Sequence, residues 1–186
     1  TSLGHHYQRE DVIEFSDLQG DSFLLSKLAA EKSDSEIIIF CGVHFMAETA
    51  EILSSSKQKV ILPNMAAGCS MADMAATKDV KRSWNQINNV INNKSSKKSV
   101  IPVTYMNSTA SIKALCGEND GIVCTSSNAR KAFDWAYERG EKILFVPDQH
   151  LGRNTGLEYG IKKSEMVIWD PYKINGGLTD DEINNS

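Results

Sequence analysis

Cysteine, histidine and hydroxyl side chains at the ends of apolar segments are the residues of this sequence best suited to chemistry. The segment AGCSMAD places Cys69 after a glycine and just before a helix-like run. A thiolate in such a turn is well placed to bind a metal, because nearby backbone N–H groups stabilise its charge. A cysteine can equally be a small buried apolar residue. The local pattern alone leaves both roles open for Cys69.

Further polar residues lie where strands are predicted to end or helices to begin. They are His5, Tyr7, Ser22, Tyr105, Asn107 and Ser126. In an open α/β sheet the carboxyl ends of the strands form the edge at which ligands bind, and a serine beside the free N–H groups of a helix start can hold an anion. Each position also fits a structural role in an exposed loop, a helix cap or a turn. We predict that these side chains converge on one polar cleft, which Cys69 also faces.

Two other polar groups are weaker candidates. His44 and Glu48 are spaced i, i+4 on one helix face, as two metal ligands can be, but no third ligand is near in sequence. We therefore expect a local pair. Asp148, His150 and Arg153 follow a predicted strand end, where they could bind phosphate or contact another domain.

Composition excludes several classes of protein. The formal charge is −4, so nothing indicates a nucleic-acid partner or a membrane surface. No apolar run approaches the roughly 20 residues of a membrane span. The first residues, TSLG, do not resemble a signal peptide, and the four cysteines contain no CxxC pair. We expect a cytoplasmic protein with reduced thiols.

Short apolar runs alternate with helical stripes along the chain, which predicts an α/β fold with parallel sheets and right-handed crossovers. The predicted strands are Ser2–Tyr7, Ile37–Phe40, Val60–Leu62, Val100–Tyr105, Ile122–Cys124, Lys142–Val146 and Glu165–Trp169. Four consecutive apolar residues at Ile37–Phe40 are typical of a strand that is buried on both faces.

One low-complexity segment, NNKSSKK at 92–98, interrupts this alternation. A solvated polar loop is a suitable domain boundary. We therefore predict a first α/β domain at 1–91 and a second, incomplete one at 92–186.

Seven motifs occur in order along nearly the whole chain: HHYQ, GDS, FCGVHFMAETA, AGCSMADM, TYMNS, CTSSNA and PDQHLGRN. Together they resemble the quinolinate synthase A family. The resemblance implies a fold of three stacked, pseudo-symmetric α/β/α domains, of which this chain would hold the first and most of the second. It implies an enzyme of NAD biosynthesis that condenses iminoaspartate with dihydroxyacetone phosphate to form quinolinate. L-aspartate oxidase would then be its functional neighbour.

The resemblance also implies roles for individual residues. Cys69 would be the first of three protein ligands of a [4Fe-4S] cluster, with one iron open to substrate. His5 would contact a substrate carboxylate, and Tyr7 would take part in proton transfer, whereas His6 would point away. Tyr105 and Asn107 would bind substrate and order the reacting carbonyl, and Ser126 would hold a phosphate or a carboxylate.

The sequence departs from this family in one respect. No cysteine follows Trp169 and Asp170, where the family places its later cluster ligands. The cluster therefore could not form on this chain alone, and we expect the isolated chain to be an inactive fragment. The alternative is a non-catalytic α/β module that binds small anions without a cluster.

Overall fold

The computed structural model of the protein describes residues 1–32, 34–93 and 99–186. The chain forms two compact units, Thr1–Ala72 (unit 1) and Asp73–Ser186 (unit 2). The predicted boundary loop at 92–98 lies mostly outside the described residues. The division between the units falls after Ala72, and the predicted domain bounds of 1–91 and 92–186 stay a prediction.

Unit 1 is built on a four-stranded parallel sheet in the order β2-β1-β3-β4. Its elements are β1 Ser2–His5, α1 Glu10–Ile13, β2 Leu18–Gly20, α2 Ser22–Glu31, β3 Ile37–Cys41, α3 His44–Leu53 and β4 Lys59–Ile61. The one-turn helix α4, Ser70–Asp73, follows at the boundary. The prediction of parallel α/β architecture is confirmed for this unit.

The two faces of the unit 1 sheet differ in burial. Ile38 and Phe40 of β3 are fully buried, whereas Ile37 and Ile39 are 51% and 42% exposed. Successive residues of a strand point to opposite faces, so one face of β3 forms the core and the other is open. The prediction that β3 is buried on both faces is therefore wrong.

Unit 2 is built on a three-stranded parallel sheet in the order β6-β5-β7. Its elements are α5 Thr77–Asn93, β5 Val100–Tyr105, α6 Ala110–Glu118, β6 Ile122–Cys124, α7 Ala129–Tyr137, β7 Lys142–Val146, α8 Gln149–Tyr159 and α9 Asp180–Asn185. Two 3-10 helices, Lys163–Glu165 and Ile174–Gly177, lie between α8 and α9.

Helices cover both faces of the central strand β5. Ile101 and Val103 pack with the alanines of α7 in one cluster. Val100 packs with Ile91 of α5 and Ile183 of α9 in another. The three-layer α/β/α arrangement that the sequence predicts is thus clear in unit 2.

Two elements differ from the sequence prediction. β2 is absent from the predicted strands, and the predicted strand Glu165–Trp169 does not form. The side chains of α5 explain the second difference. Trp169 donates from its indole N–H to Gln86 Oε1 at 2.8 Å, and the guanidinium of Arg82 lies 4.8 Å from the centre of its ring. These contacts hold the segment against α5 instead of in a sheet ladder.

No helix within the part of the chain that the structure describes has the length and apolar character needed to span a membrane.

Candidate functional site

His5 forms the centre of a polar cluster at the carboxyl end of β1. Its Nε2 lies 3.3 Å from Ser22 Oγ, and its Nδ1 accepts a hydrogen bond from the backbone N–H of Tyr7 at 3.2 Å. Ser22 follows the neighbouring strand β2, which pairs His5 with Gly20. The parallel ladder thus brings His5 and Ser22 together, as predicted from their places at a strand end and a helix start.

The environment of His5 favours a neutral imidazole. Burial lowers the pKa of His5, the nearby His6 lowers it further, and Asp21 partly opposes the shift. Because Nδ1 accepts from Tyr7, the proton of the neutral ring belongs on Nε2, which then donates to Ser22 Oγ. His5 therefore orients the Ser22 hydroxyl and leaves its O–H available to donate elsewhere.

Three aromatic rings pack together at this site, in tilted and edge-on arrangements. The ring centroid of His5 lies 4.5 Å from those of both His6 and Tyr7. His5 is 3% exposed, whereas Tyr7 is 81% exposed. The expectation that His6 points away from the site is not met, because its ring packs beside His5.

The start of α2 is capped by Asp21 and not by Ser22. The Asp21 carboxylate accepts from the backbone N–H groups of Phe23 and Leu24, at 3.0 and 2.8 Å. An anion therefore could not use these two N–H groups without displacing Asp21. The Ser22 hydroxyl remains suitable for an anion, and its role as an anion site stays a prediction.

Cys69 lies at the end of a hydrogen-bonded loop that leads from β4 to α4. The side chain of Cys69 is half-buried, and Ser70 begins the helix immediately after it. The turn in this loop comes earlier than predicted, since the N–H of Ala67 donates to the carbonyl of Asn64 at 3.0 Å. Cys69 thus combines partial exposure with a place beside a helix start.

The other three cysteines differ from Cys69 in their surroundings. Burial raises the pKa of Cys116 and of Cys124 to about 12, so both are thiols at neutral pH. Burial also raises the pKa of Cys41, which is half-buried at the end of β3. Cys124 is thus enclosed in the core of unit 2, whereas Cys41 is only partly enclosed.

The candidate residues of unit 2 lie at the carboxyl edge of its sheet. Tyr105 ends β5 and is paired in register with Cys124, the last residue of β6. Tyr105 and Asn107 are half-buried on either side of the buried Met106, and Ser126 is exposed in the turn after β6. These three residues therefore share one edge, as their places in the sequence predicted.

Asparagine side chains that the sequence reading overlooked fix two of the loops at these edges. Asn128 Oδ1 accepts from the N–H of Thr125 at 2.7 Å and closes the turn that carries Ser126. Asn64 Oδ1 accepts from the N–H of Ala66 at 2.9 Å in the loop before Cys69. Asparagine commonly closes turns through such side-chain bonds, so each residue offered a signal that the sequence reading could have used.

The remaining polar candidates form local contacts. Asp148 caps α8 by accepting from the N–H of His150 at 2.6 Å. The guanidinium Nη2 of Arg153 lies 3.1 Å from His150 Nδ1. His44 Nδ1 and Glu48 Oε1 are 3.8 Å apart, which supports the expected local pair.

A large groove in unit 2 lies apart from these candidate residues. Its volume is about 1100 Å³, and it is lined by β7, by α8 and by the segment that contains Trp169. Asp148, His150 and Arg153 line it, but Tyr105, Asn107 and Ser126 are not among the described residues that do so. This groove therefore does not identify the candidate site.

The described residues could supply one ligand of an iron–sulfur cluster. Within 1–32, 34–93 and 99–186, no group of three or more histidine, cysteine or acidic side chains could hold a metal ion. Cys69 is half-buried and follows an exposed loop, so it fits a single cluster position. The prediction that it meets the other candidate residues in one cleft involves both units and stays a prediction.

These features define a parallel α/β protein whose histidine, serine, tyrosine and cysteine side chains lie at the carboxyl edges of two sheets. This is the arrangement by which open α/β folds bind small molecules.

Residues 1–176 match the model of the family described as quinolinate synthetase A protein. The chain belongs to this family. It is 56% identical over 181 residues to a quinolinate synthase of Acidobacterium capsulatum, covering 97% of this chain and 48% of that protein. Quinolinate synthases of Rhodopirellula baltica and Streptomyces coelicolor are 53% and 52% identical, covering 99% of this chain and 49% and 46% of those proteins. The chain thus spans about half the length of the curated relatives it matches.

Proposed function

We propose that the protein, at the natural length of its gene, is a quinolinate synthase of NAD biosynthesis. It would condense iminoaspartate with dihydroxyacetone phosphate and would act in the cytoplasm. The family match over residues 1–176 carries this proposal, since it includes every candidate residue. The names of the relatives of Acidobacterium and Rhodopirellula support it.

The pair formed by His5 and Ser22 suits a substrate carboxylate. His5 Nε2–H donates to Ser22 Oγ, and the hydroxyl of Ser22 can then donate to a carboxylate oxygen. The low pKa of His5 keeps this direction of hydrogen bonding at neutral pH. Ser22 would thus be the direct donor to the carboxylate, and His5 would orient the Ser22 hydroxyl. A direct contact of His5 with the carboxylate would require its Nε2–H to turn from Ser22 Oγ to the substrate.

Proton transfer and the second substrate involve the other candidate residues. Tyr7 has a largely exposed phenol on a ring that packs against His5, so its hydroxyl would exchange a proton with bound substrate. Tyr105 and Asn107 would bind substrate and orient the reacting carbonyl. Ser126, exposed in a turn before α7, would hold the phosphate or a second carboxylate.

Cys69 would hold one iron of a [4Fe-4S] cluster. When bound, such a cluster supplies a Lewis acid for the elimination of water. Four-iron clusters ordinarily take about four protein ligands, or three with one iron open. The other ligands would come from regions of the family that this chain does not cover.

The test is synthesis of quinolinate by the natural-length protein after anaerobic reconstitution. Dihydroxyacetone phosphate is supplied directly, and L-aspartate oxidase generates the iminoaspartate. We expect a brown protein that forms quinolinate, and we expect Cys69→Ser to abolish both the colour and the product. Cys41→Ser is the matched control and should retain both. The 186-residue chain alone should stay colourless and inactive.

Two outcomes would contradict this proposal. A Cys69→Ser variant that keeps its cluster and its activity would remove Cys69 from the site. A natural-length protein that binds a dicarboxylate such as malate but forms no quinolinate would favour the anion-binding module.

A further inference from the structure

The loop that carries Cys69 is held by a short series of hydrogen bonds that begins at Asn64. Its side-chain Oδ1 accepts from the N–H of Ala66 at 2.9 Å, and its backbone carbonyl accepts from the N–H of Ala67 at 3.0 Å. Gly68 in turn donates to the carbonyl of Ala66 at 2.8 Å. Asn64 therefore sets the backbone path of the residues that immediately precede Cys69.

The same loop is tied to the start of α3. The N–H of His44 donates to the carbonyl of Ala67 at 2.8 Å. His44 is the first residue of α3, and the preceding Val43 has no side-chain oxygen with which to cap the helix. The first N–H groups of a helix lack partners within the helix. The Ala67 carbonyl thus satisfies a helix donor and fixes the loop two residues before Cys69.

Hydrophobic packing contributes little to this loop. Asn64, Met65, Ala66 and Gly68 are exposed, and Met65 is 70% exposed. A segment with few buried apolar contacts opens at low cost unless hydrogen bonds hold it. Two anchors, the side chain of Asn64 and the N–H of His44, therefore hold the loop that leads to Cys69.

We propose that Asn64 and the backbone N–H of His44 are positioning groups that set the direction of the Cys69 thiol. Neither touches the reacting atoms. Their role in cluster binding rests on the proposed function, whereas their role in placing the thiol does not. The two parts are therefore tested by separate measurements on the natural-length protein.

The His44 anchor is tested with a pair of variants. His44→Pro removes the N–H, and proline suits this position because it is favoured at the first residue of a helix. Val43 has φ −113° and ψ 165°, close to the backbone that precedes a proline. His44→Ala keeps the N–H and removes only the imidazole. The two variants thus separate the backbone hydrogen bond from the side chain.

The first measurement is the rate at which iodoacetamide alkylates Cys69 in the cluster-free protein, followed by mass spectrometry of its peptide. The buried Cys116 and Cys124 lie together on a tryptic peptide that is distinct from that of Cys69, and they should react slowly in every variant. We expect His44→Pro to raise the rate at Cys69 about fivefold, as loss of one net hydrogen bond would allow. His44→Ala should stay within about twofold of the wild type. Far-ultraviolet circular dichroism checks that both variants are folded.

The Asn64 anchor is tested with a second, independent pair. Asn64→Asp keeps a side-chain acceptor for the Ala66 N–H, whereas Asn64→Ala removes it. Because Asn64 is exposed, neither change alters the core. Asn64→Ala should raise the alkylation rate about fivefold, and Asn64→Asp should restore the wild-type rate.

The second measurement is the cluster itself, followed by its absorbance and by the electron paramagnetic resonance of its reduced form. His44→Pro and Asn64→Ala should bind less iron and give an altered resonance, whereas their partner variants should match the wild type. If the wild type binds no cluster but the alkylation rates change as expected, the proposed function fails and the positioning role stands. If all four variants alkylate at the wild-type rate, or if His44→Ala behaves as His44→Pro does, the positioning role is overturned.

Discussion

The two units place candidate residues at the carboxyl edge of a parallel sheet, but they bury their strands differently. In unit 2 the strand β5 is enclosed on both faces, since Ile101 packs on α7 and Val100 packs on α5 and α9. In unit 1 the strand β3 is enclosed on one face only, with Ile38 buried and Ile39 42% exposed. Similar apolar sequences thus occupy different environments, because the helices around each strand decide its burial.

The local chemistry of the two edges is more alike than the packing beneath them. In each unit an aspartate follows a strand and caps the next helix, Asp21 for α2 and Asp148 for α8. Each edge also presents hydroxyl groups, on Ser22 in unit 1 and on Tyr105 in unit 2. Capping aspartates orient the helix starts without leaving their N–H groups to a ligand. The side chains at each edge, and not the helix ends, are therefore the groups available for binding.

The largest expected effect is a contrast between neighbouring residues of β3. Ile38→Ala should lower the free energy of unfolding by about 2–5 kcal/mol, because it removes buried methyl groups and leaves a cavity. Ile39→Ala should lower it by less than about 1 kcal/mol, because that side chain is already partly in water. Hydrogen exchange of β3 peptides measures both, and equal losses would contradict the one-sided burial of β3.

In unit 2 we expect a smaller loss of stability when a buried side chain of the central strand β5 is shortened. Val103 of β5 is fully buried, and Val123 of the edge strand β6 is 42% exposed. Val103→Ala should cost about 1.5–3 kcal/mol, and Val123→Ala, its matched control, less than about 1 kcal/mol. All three tryptophans lie in unit 2, so denaturation followed by tryptophan fluorescence reports on this unit. A larger loss from Val123→Ala would contradict the assignment of the core.

The comparison also shows which features the sequence could predict. β5, β6 and β7 have the predicted bounds, because each is a short apolar run that is ended by polar residues or proline. β2 was missed because its three residues, LQG, contain no apolar run and form a strand only by pairing with β1. Segment 165–169 is largely apolar and is predicted to be a strand, but contacts with α5 hold Trp169 elsewhere. The local sequence pattern predicts strands that contain an apolar run. It fails where contacts with distant residues determine the secondary structure.

The features of the candidate site likewise include some that the sequence could predict and others that it could not. Strand ends and helix starts predicted that His5 would lie near Ser22, and the register of β1 with β2 brings them together. Sequence position alone could not show that Asp21 occupies the helix N–H groups, or that Asn64 fixes the loop of Cys69. Both depend on which acceptor reaches a given N–H group, and this is set by backbone geometry.

A third prediction concerns the two capping aspartates. Asp21→Ala and Asp148→Ala should each destabilise the protein by about 1 kcal/mol, since an N-cap carboxylate satisfies helix N–H groups. Asparagine at either position keeps an acceptor and should cost less. Thermal unfolding measures these differences. Asp21→Ala should also free the N–H groups of Phe23 and Leu24. This variant should therefore bind sulfate more tightly than Asp148→Asn does. Equal sulfate binding by the two variants would contradict that expectation.

The smallest expected effect is a dependence of stability on pH that belongs to unit 1. Burial and His6 lower the pKa of His5 from 6.5 in the folded protein, and Asp21 partly offsets this. Below pH 6.5 the unfolded chain therefore binds more protons than the folded one, so the contribution of His5 is complete above that pH and is lost as the pH falls through the folded pKa. The free energy of unfolding is measured by denaturation between about pH 5 and pH 7.5, a range that spans the pKa of an ordinary histidine. It should rise with pH, and His5→Gln should reduce the slope of that rise. His150→Gln, on an exposed residue of unit 2, is the matched control for the removal of one histidine. Because the His5 shift requires a buried ring, a His5→Gln variant with the full wild-type slope would show that this ring is open to solvent.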